Sequence, residues 1–218
     1  METMELADQR VLVTGASRGI GAALSDALEA EGAVVLRVAT REQPPVLGCD
    51  VSDPGQVARL CERTGPVDVL INNAGVIHEP APLLEIPLAE WRRLLDTNVL
   101  GMVAVLQAYL PAMNERRSGV VLNLSSTWGR VAVPHQSPYC ATKFAVEALS
   151  SALAQETVPG VVVVAVNPGV VATDMLATCF EGATGAATPP EECAAAFVRM
   201  LGRLDLSWNG RSVDVDGF

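Results

Sequence analysis

Arg10-Val11-Leu12-Val13-Thr14 runs directly into Gly15-Ala16-Ser17-Arg18-Gly19-Ile20-Gly21, and a helical stripe of Ile20, Leu24, Ala27 and Leu28 starts inside that loop. An apolar strand that turns straight into a helix must pack the helix back on a buried, mostly parallel sheet. The glycines allow a tight turn and close backbone approach to a ligand, and a helix N-terminus favours negative charge. A dinucleotide pyrophosphate fits such a place, with Gly15, Ser17, Arg18, Gly19, Ile20 and Gly21 around it. The spacing is G-x-x-x-G-x-G, not the commoner G-x-G-x-x-G, and a glycine turn between strand and helix also occurs with no ligand.

The rest of the chain repeats the alternation. Strands are expected near 10–14, 33–38, 46–49, 67–71, 118–124, 161–166 and 211–215, and helices near 19–31, 53–63, 88–115, 137–157 and 189–202. This pattern predicts one α/β domain over residues 1–218, a doubly wound Rossmann domain. Its seven-stranded, mostly parallel sheet would carry helices on both faces. One crossover is abbreviated. Arg41-Glu42-Gln43-Pro44-Pro45 leaves no room for the dozen or so residues a full crossover needs. A short loop is expected at about 174–188, where Gly182-Ala183-Thr184-Gly185-Ala186-Ala187 suits a mobile lid.

Charge and composition narrow the partners. The net charge of −10 argues against nucleic acid or an anionic membrane. No segment approaches the roughly 18 apolar residues of a membrane span, and the acidic Met1-Glu2-Thr3-Met4-Glu5 lacks the form of a signal peptide. Five cysteines without C-x-x-C spacing point to a reducing, cytoplasmic setting. His78 and His135 are isolated, so no metal site is expected. His78 reads as a solvated loop residue.

The chemistry centres on Ser126, Tyr139 and Lys143. Tyr139 and Lys143 are four residues apart, which puts both on one helical face. A nearby ammonium should lower the phenol pKa, so that Tyr139 exchanges a proton near neutral pH. Ser126 follows the apolar run Val120-Val121-Leu122 and can hydrogen-bond the same substrate oxygen. Together they suit acid catalysis at a carbonyl beside a hydride donor. Asn98 lies on the apolar stripe Trp91, Leu94, Leu95, Met102, Val103 and Leu106, where an amide needs partners.

These residues resemble the short-chain dehydrogenase/reductase family over nearly the whole chain. The cofactor motif stands as Thr14–Gly21, the strand-four motif as Asn72-Asn73-Ala74-Gly75, and the active-site asparagine as Asn98. Ser126 precedes Tyr139 by thirteen residues, and Asn167-Pro168-Gly169 is followed by Thr173. The resemblance implies catalysis by Asn98, Ser126, Tyr139 and Lys143, with Asn98 orienting a water chain to Lys143 and Lys143 also binding the nicotinamide ribose. It implies cofactor contacts from Asn73, Ala74, Gly75, Pro168, Gly169, Val171 and Thr173, and from Asp50 and Val51 near the adenine.

Strand two ends in Val38-Ala39-Thr40-Arg41 with no acid for a ribose 2′-hydroxyl. Arg18, Thr40 and Arg41 suit a 2′-phosphate, which favours NADPH and leaves NAD possible. The expected activity is an NADP-dependent interconversion of a ketone and a secondary alcohol. A non-catalytic nucleotide sensor or scaffold, or a dehydratase or epimerase on the same site, are the alternatives. Substrate contacts are expected from Ser126, Trp128, His135, Tyr139, Met175 and Phe180, with Val133, Val170 and Leu176 nearby. The helices at 88–115 and 137–157 carry apolar residues on more than one stripe, including Tyr109, Leu110, Phe144 and Leu149, and the resemblance implies that these helices and the final strand at 211–215 pair across symmetry axes into a homodimer or homotetramer.

Overall fold

The computed structural model describes residues 5–179 and 187–217. The described strands are β1 (Arg10–Thr14), β2 (Val34–Ala39), β3 (Leu47–Gly48), β4 (Val69–Asn72), β5 (Gly119–Leu124), β6 (Val161–Asn167) and β7 (Ser212–Asp214). They form one sheet in the order β3-β2-β1-β4-β5-β6-β7, and every neighbouring pair is parallel. The order reverses between β1 and β4. Strand carboxyl ends diverge there, which opens the crevice where doubly wound sheets bind ligands.

The helices are α1 (Gly19–Ala30), α2 (Pro54–Thr64), α3 (Leu88–Leu95), α4 (Met102–Arg116), α5 (Ser137–Glu156), α6 (Asp174–Cys179) and α7 (Pro190–Leu201). Alternation along each strand divides the core in two. Val11, Val13, Val69, Ile71, Leu122 and Val164 pack with Leu24 and Leu28 of α1 and Phe197 and Met200 of α7. Leu12, Leu70, Val121 and Val163 face the other way, onto Val57 of α2, Val105 and Met113 of α4 and Val146 of α5. Tyr109 and Leu110 belong to this second core. They are not on a free stripe, whereas Phe144 remains 43% exposed.

Asp53 begins α2 by accepting the Gly55 and Gln56 amides at 2.9 and 3.1 Å, and Pro54 occupies the position whose missing N–H costs nothing. The second crossover is indeed a turn, closed by Gln43 and Val46 exchanging backbone hydrogen bonds of 3.1 and 2.7 Å. The Pro44–Pro45 peptide within it is cis.

Three features differ from the sequence expectation. The helix expected over 88–115 is interrupted by a π-helical turn, Asp96–Gly101, between α3 and α4. Gly101, at the end of that turn, packs closely on the segment after β3, since a Cβ there would lie 2.8 Å from the Val51 side chain. The combined run Leu88–Arg116 is also long and apolar enough to cross a membrane, with mean hydropathy 1.3 over its best window. Its apolar face is already committed to the core through Leu94, Met102, Val105, Leu106 and Met113. Finally, the segment after Thr173 begins as a helix. The Thr173 hydroxyl accepts the Leu176 amide at 3.3 Å, satisfying one of the free donors of α6. The chain returns at Thr188, which bonds Val170 and Ala172 through its backbone, both at 2.9 Å.

Candidate active site

The turn after β1 is held by the loop after β4. Thr14 Oγ1 accepts the backbone amides of Asn73 and Ala74 at 3.1 and 3.0 Å. Asn73 Nδ2 donates to the carbonyls of Thr14 and Gly15 at 2.8 and 3.1 Å. This close approach explains two glycines. A Cβ on Gly15 (φ +69°) would lie 2.8 Å from Ala74 Cα, and one on Gly21 would overlap the Gly15 carbonyl and the Asn73 amide. Asn73 therefore shapes the cofactor turn through its side chain. Arg18 precedes α1 in an extended conformation, with no side-chain hydrogen bond capping the helix. The first amides of a twelve-residue helix thus face the turn without a side-chain acceptor at the cap, the arrangement that takes a pyrophosphate.

Beyond the turn, Ser17, Thr40, Arg41, Gln43, Pro44, Pro45 and Val46 line a cavity of about 330 Å³. Arg41 and Thr40 are exposed on it, placed for a phosphate on the adenosine ribose. Glu42 turns away to Arg63, 3.7 Å distant. Arg18 is engaged elsewhere. Its Nη1 donates to Asp174 at 2.9 Å, and both side chains are about three-quarters exposed. Asp50 accepts the Ser52 amide and hydroxyl at 3.0 and 2.7 Å, while Asp53, not Asp50, caps α2. Val51 is buried against Gly101. The free helix end, the glycine cradle and this cationic cavity fit an NADP-type dinucleotide.

The four polar residues of the expected tetrad meet at the carboxyl edge. Asn98 sits in the π-helical turn, 3% exposed. Its Oδ1 accepts the Val76 amide at 2.8 Å, and its Nδ2 donates to the Val76 carbonyl at 2.9 Å and to Thr142 Oγ1 at 3.1 Å. The amide's buried cost is thereby met, and the strand-four loop is fastened to α5. Ser126 Oγ accepts the Trp128 amide at 3.2 Å. Tyr139 and Lys143 share a face of α5, and Lys143 Nζ lies 5.6 Å from the Tyr139 ring centroid while donating to the Leu124 carbonyl at 2.7 Å.

Electrostatics correct one expectation. Burial pushes the Tyr139 phenol above its ordinary pKa, with the Cys179 thiol adding to the rise and a hydrogen bond from Ser126 pulling it back. The ammonium's hydrogen-bond partner is the Leu124 carbonyl, and Lys143 is itself pushed down to about 8 by burial, with Glu147 opposing. The protein without ligands holds a protonated phenol, the form a general acid requires.

The substrate side is covered by α6. Met175 Sδ lies 4.0 Å from the Tyr139 hydroxyl, and Trp128 packs edge-on to the Tyr139 ring at 5.9 Å. Pro168, Gly169 (φ +77°), Val170, Val171 and Thr173 form the loop between β6 and α6. Val170 is 56% exposed at the mouth and Val171 is buried beneath it. Leu176 and Val133 are half-buried. Phe180 lies outside the described residues. His135 is exposed and has φ +66°, and it contributes its carbonyl to the Ala81 amide at 3.0 Å.

Several residues in the site escaped the sequence reading. Thr142 read as an ordinary helix residue, and only its bond from Asn98 reveals its work, while Thr14 was named in the cofactor motif without its hold on the strand-four loop being foreseen. His78 is a correction, because it is buried at 5% exposure and not solvated. Gln136, 3% exposed, donates to the His78 carbonyl at 3.4 Å and to Cys179 Sγ at 3.7 Å. Its place three residues before Tyr139 was the available signal.

Comparison with known proteins agrees with this geometry. The family model described as short chain dehydrogenase matches residues 9–184. An NADPH-dependent pterin aldehyde reductase of Arabidopsis thaliana is 34% identical over 96% of this chain and 94% of its own. A 3-oxoacyl-acyl-carrier-protein reductase of Haemophilus influenzae is 34% identical over 75% of this chain and 74% of its own. Among solved structures, the ligand-free aldohexose dehydrogenase of Thermoplasma acidophilum superposes with TM-score 0.86 at 26% identity, covering 98% of this chain and 94% of that one. A Brucella melitensis 3-ketoacyl-(acyl-carrier-protein) reductase complexed with NADH gives 0.84 at 26% identity, over 96% and 97%. With its cofactor turn, its fastened strand-four loop and its serine, tyrosine and lysine at one sheet edge, the chain belongs to the short-chain dehydrogenase family of oxidoreductases.

Proposed function

We propose that this protein is an NADPH-dependent carbonyl reductase that interconverts a ketone or aldehyde with its alcohol, using Tyr139 as the acid. The observation that carries the reading is the Tyr139 phenol, buried beside Ser126 and Lys143 at the carboxyl edge of the sheet. NADPH would be held by the α1 amides, by Arg41 and Thr40 at the ribose phosphate, and by Lys143 at the nicotinamide end. When bound, it supplies the hydride. The protein's own residues do the remainder. Ser126 hydrogen-bonds the carbonyl oxygen, Tyr139 donates its proton there, and Lys143 stabilises the resulting phenolate. Asn98 keeps the floor of the site in register through Val76 and Thr142.

Two observations favour NADPH. No acid faces the ribose cavity, and the pterin aldehyde reductase that aligns along nearly the whole chain is NADPH-dependent. That relative also makes an aldehyde on a polar ring a concrete substrate class to screen beside ketones. Turnover of NADPH with a panel of both is the direct test. Tyr139→Phe should lower kcat by roughly 10² to 10⁴, the usual contribution of a general acid, while NADPH binding persists. Near-normal turnover by this variant would remove the mechanism.

A further inference from the structure

The turn that carries Ser126 is tied to the last strand of the sheet. β6 and β7 run parallel, with Ala165 opposite Ser212 and Asn167 opposite Asp214. Residues two apart on a strand share a face, so Ser212 and Asp214 stand on the face that Asn167 occupies. Arg130, directly after the turn Thr127–Gly129, reaches across to that strand. Its Nε donates to Ser212 Oγ at 2.9 Å, its Nη1 to Asp214 Oδ1 at 2.8 Å and its Nη2 to the Val213 carbonyl at 2.9 Å. Glu147 of α5 lies 3.4 Å from the same Nε. A lone exposed ion pair contributes little, but a planar guanidinium with all three nitrogens bonded to one strand is fixed in direction.

Asn167 is the inner half of this clamp, 6% exposed. Its Nδ2 donates to Asp214 Oδ1 at 2.7 Å and to Thr127 Oγ1 at 3.1 Å, and its Oδ1 accepts the Gly169 amide at 3.2 Å. A carboxylate only accepts hydrogen bonds. Asp214 therefore fixes which end of the amide faces it, and with that which end faces Gly169. One buried side chain thus joins Thr127, the neighbour of Ser126, to the loop after β6. The turn is also seated on α5. A Cβ on Gly129 would lie 2.7 Å from Ser125 Oγ and 2.8 Å from the Lys143 carbonyl.

Ser126 Oγ accepts the Trp128 amide inside this turn, so where the turn sits decides where the hydroxyl sits. We infer that Asn167, Asp214 and Arg130 are positioning residues for the reduction. Arg130 and Asp214 orient the Asn167 amide, and Asn167 holds the Ser126 turn in register with Tyr139 and with the loop at Gly169. The inference rests on the reductase reading above, and each of the three acts through the Ser126 hydroxyl. Misplacing a reacting group by about 1 Å can cost about a hundredfold in rate.

Hydrogen exchange and kinetics test it together. Exchange is followed at the amides of Gly129, Arg130 and Val131, which bond back to the carbonyls of Ser126 and Thr127. Asp214→Ala should speed their exchange by at least about tenfold, with β5 and α5 unchanged. It should lower kcat by roughly ten- to a hundredfold at an unchanged NADPH dissociation constant. Asp214→Asn keeps an acceptor oxygen for Asn167 and Arg130 and should restore most of both readouts. Arg130→Met, which leaves the buried amide in place, should give a smaller change of the same kind. In a Ser126→Ala background, followed by single-turnover NADPH oxidation, Asp214→Ala should add less than about a threefold loss, because the hydroxyl it positions is gone. An equal loss in both backgrounds, unchanged exchange at 129–131, or no rescue by asparagine overturns the inference. Faster exchange with rescue by asparagine, in a protein whose wild type reduces no carbonyl, upholds the clamp on the turn and contradicts the reductase reading instead.

Discussion

The two halves of the crevice are built differently. On the cofactor side, the glycine turn is bonded to the strand-four loop through Thr14 and Asn73, and two glycines leave no space even for a methyl group. On the other side, α6 has no buried residue, rests Met175 on the Tyr139 hydroxyl, and meets Gln136 through Cys179. The first half is complete before any ligand arrives. On the proposed reading, the second half holds Met175 where a carbonyl would meet Tyr139, so α6 would shift when substrate binds. Binding energy from the cofactor can therefore go into affinity, while substrate binding must also offset the displacement of α6.

Lys143 lies at the seam between the halves and gives the largest effect. Its pKa in the folded protein is about 8, below the ordinary 10.5. Below about pH 8 both folded and unfolded chains carry the charge, and the folded protein bears the full cost of burying it. Between about pH 8 and 10.5 the unfolded chain binds more protons, so stability rises with pH. The wild type should gain about 3 kcal/mol relative to Lys143→Met across that window, at 1.36 kcal/mol per pKa unit. Parallel denaturant titrations at several pH values check the sign. A flat difference between the two proteins would show that the ammonium is not desolvated.

Gly21→Ala attacks the tight half. Its methyl must displace the Gly15 carbonyl or the Asn73 amide, a strain of about 1–3 kcal/mol. The melting temperature should fall by roughly 2–12 °C for a chain of this size, with weaker NADPH binding. Met175→Ala on the loose half should leave the melting temperature within about 1 °C, since no residue of α6 is fully buried. Equal shifts in thermal denaturation would erase the contrast.

The legibility of the sequence follows the same division. The strands and the glycine turn were readable because apolar runs and loop glycines are local signals, and the missing second crossover helix was readable from residue count alone. The grouping of Ser126, Tyr139 and Lys143 was readable because their spacing is local to the end of β5 and to α5. The π-helical turn at Asn98 was not, since the partners that hold Asn98, Val76 and Thr142, come from the strand-four loop and α5 and leave no local signal. His78 appeared solvated because a lone histidine between Ile77 and Glu79 carries no burial signal. Its environment is assembled from α3, the segment before α5, and α6. Lowering of the Tyr139 pKa was inferred from spacing, but burial, a tertiary property, dominates in the protein without ligands.

Arg41→Asp probes the open end of the tight half. Repulsion of the ribose phosphate and acceptance of a free hydroxyl should shift the kcat/KM ratio toward NADH by about ten- to a hundredfold, with solvent screening favouring the lower figure. An unchanged ratio would place the phosphate elsewhere. Asp174→Asn gives the smallest effect. It releases Arg18 from α6, and an ion pair this exposed contributes little. A change in substrate KM below about fivefold, with unaltered NADH kinetics, is expected from steady-state assays. A larger change would make that pair a genuine latch between the halves.

The most direct test of the account follows the transferred hydrogen. NADPH deuterated at the reactive nicotinamide carbon is supplied with a reducible carbonyl, and the product is read by mass spectrometry and proton NMR. The account predicts one deuterium on the former carbonyl carbon with wild type, and loss of that product with Tyr139→Phe at an essentially unchanged NADPH dissociation constant. Product that forms without the label, or labelled product made at the wild-type rate by the phenylalanine variant, would contradict it.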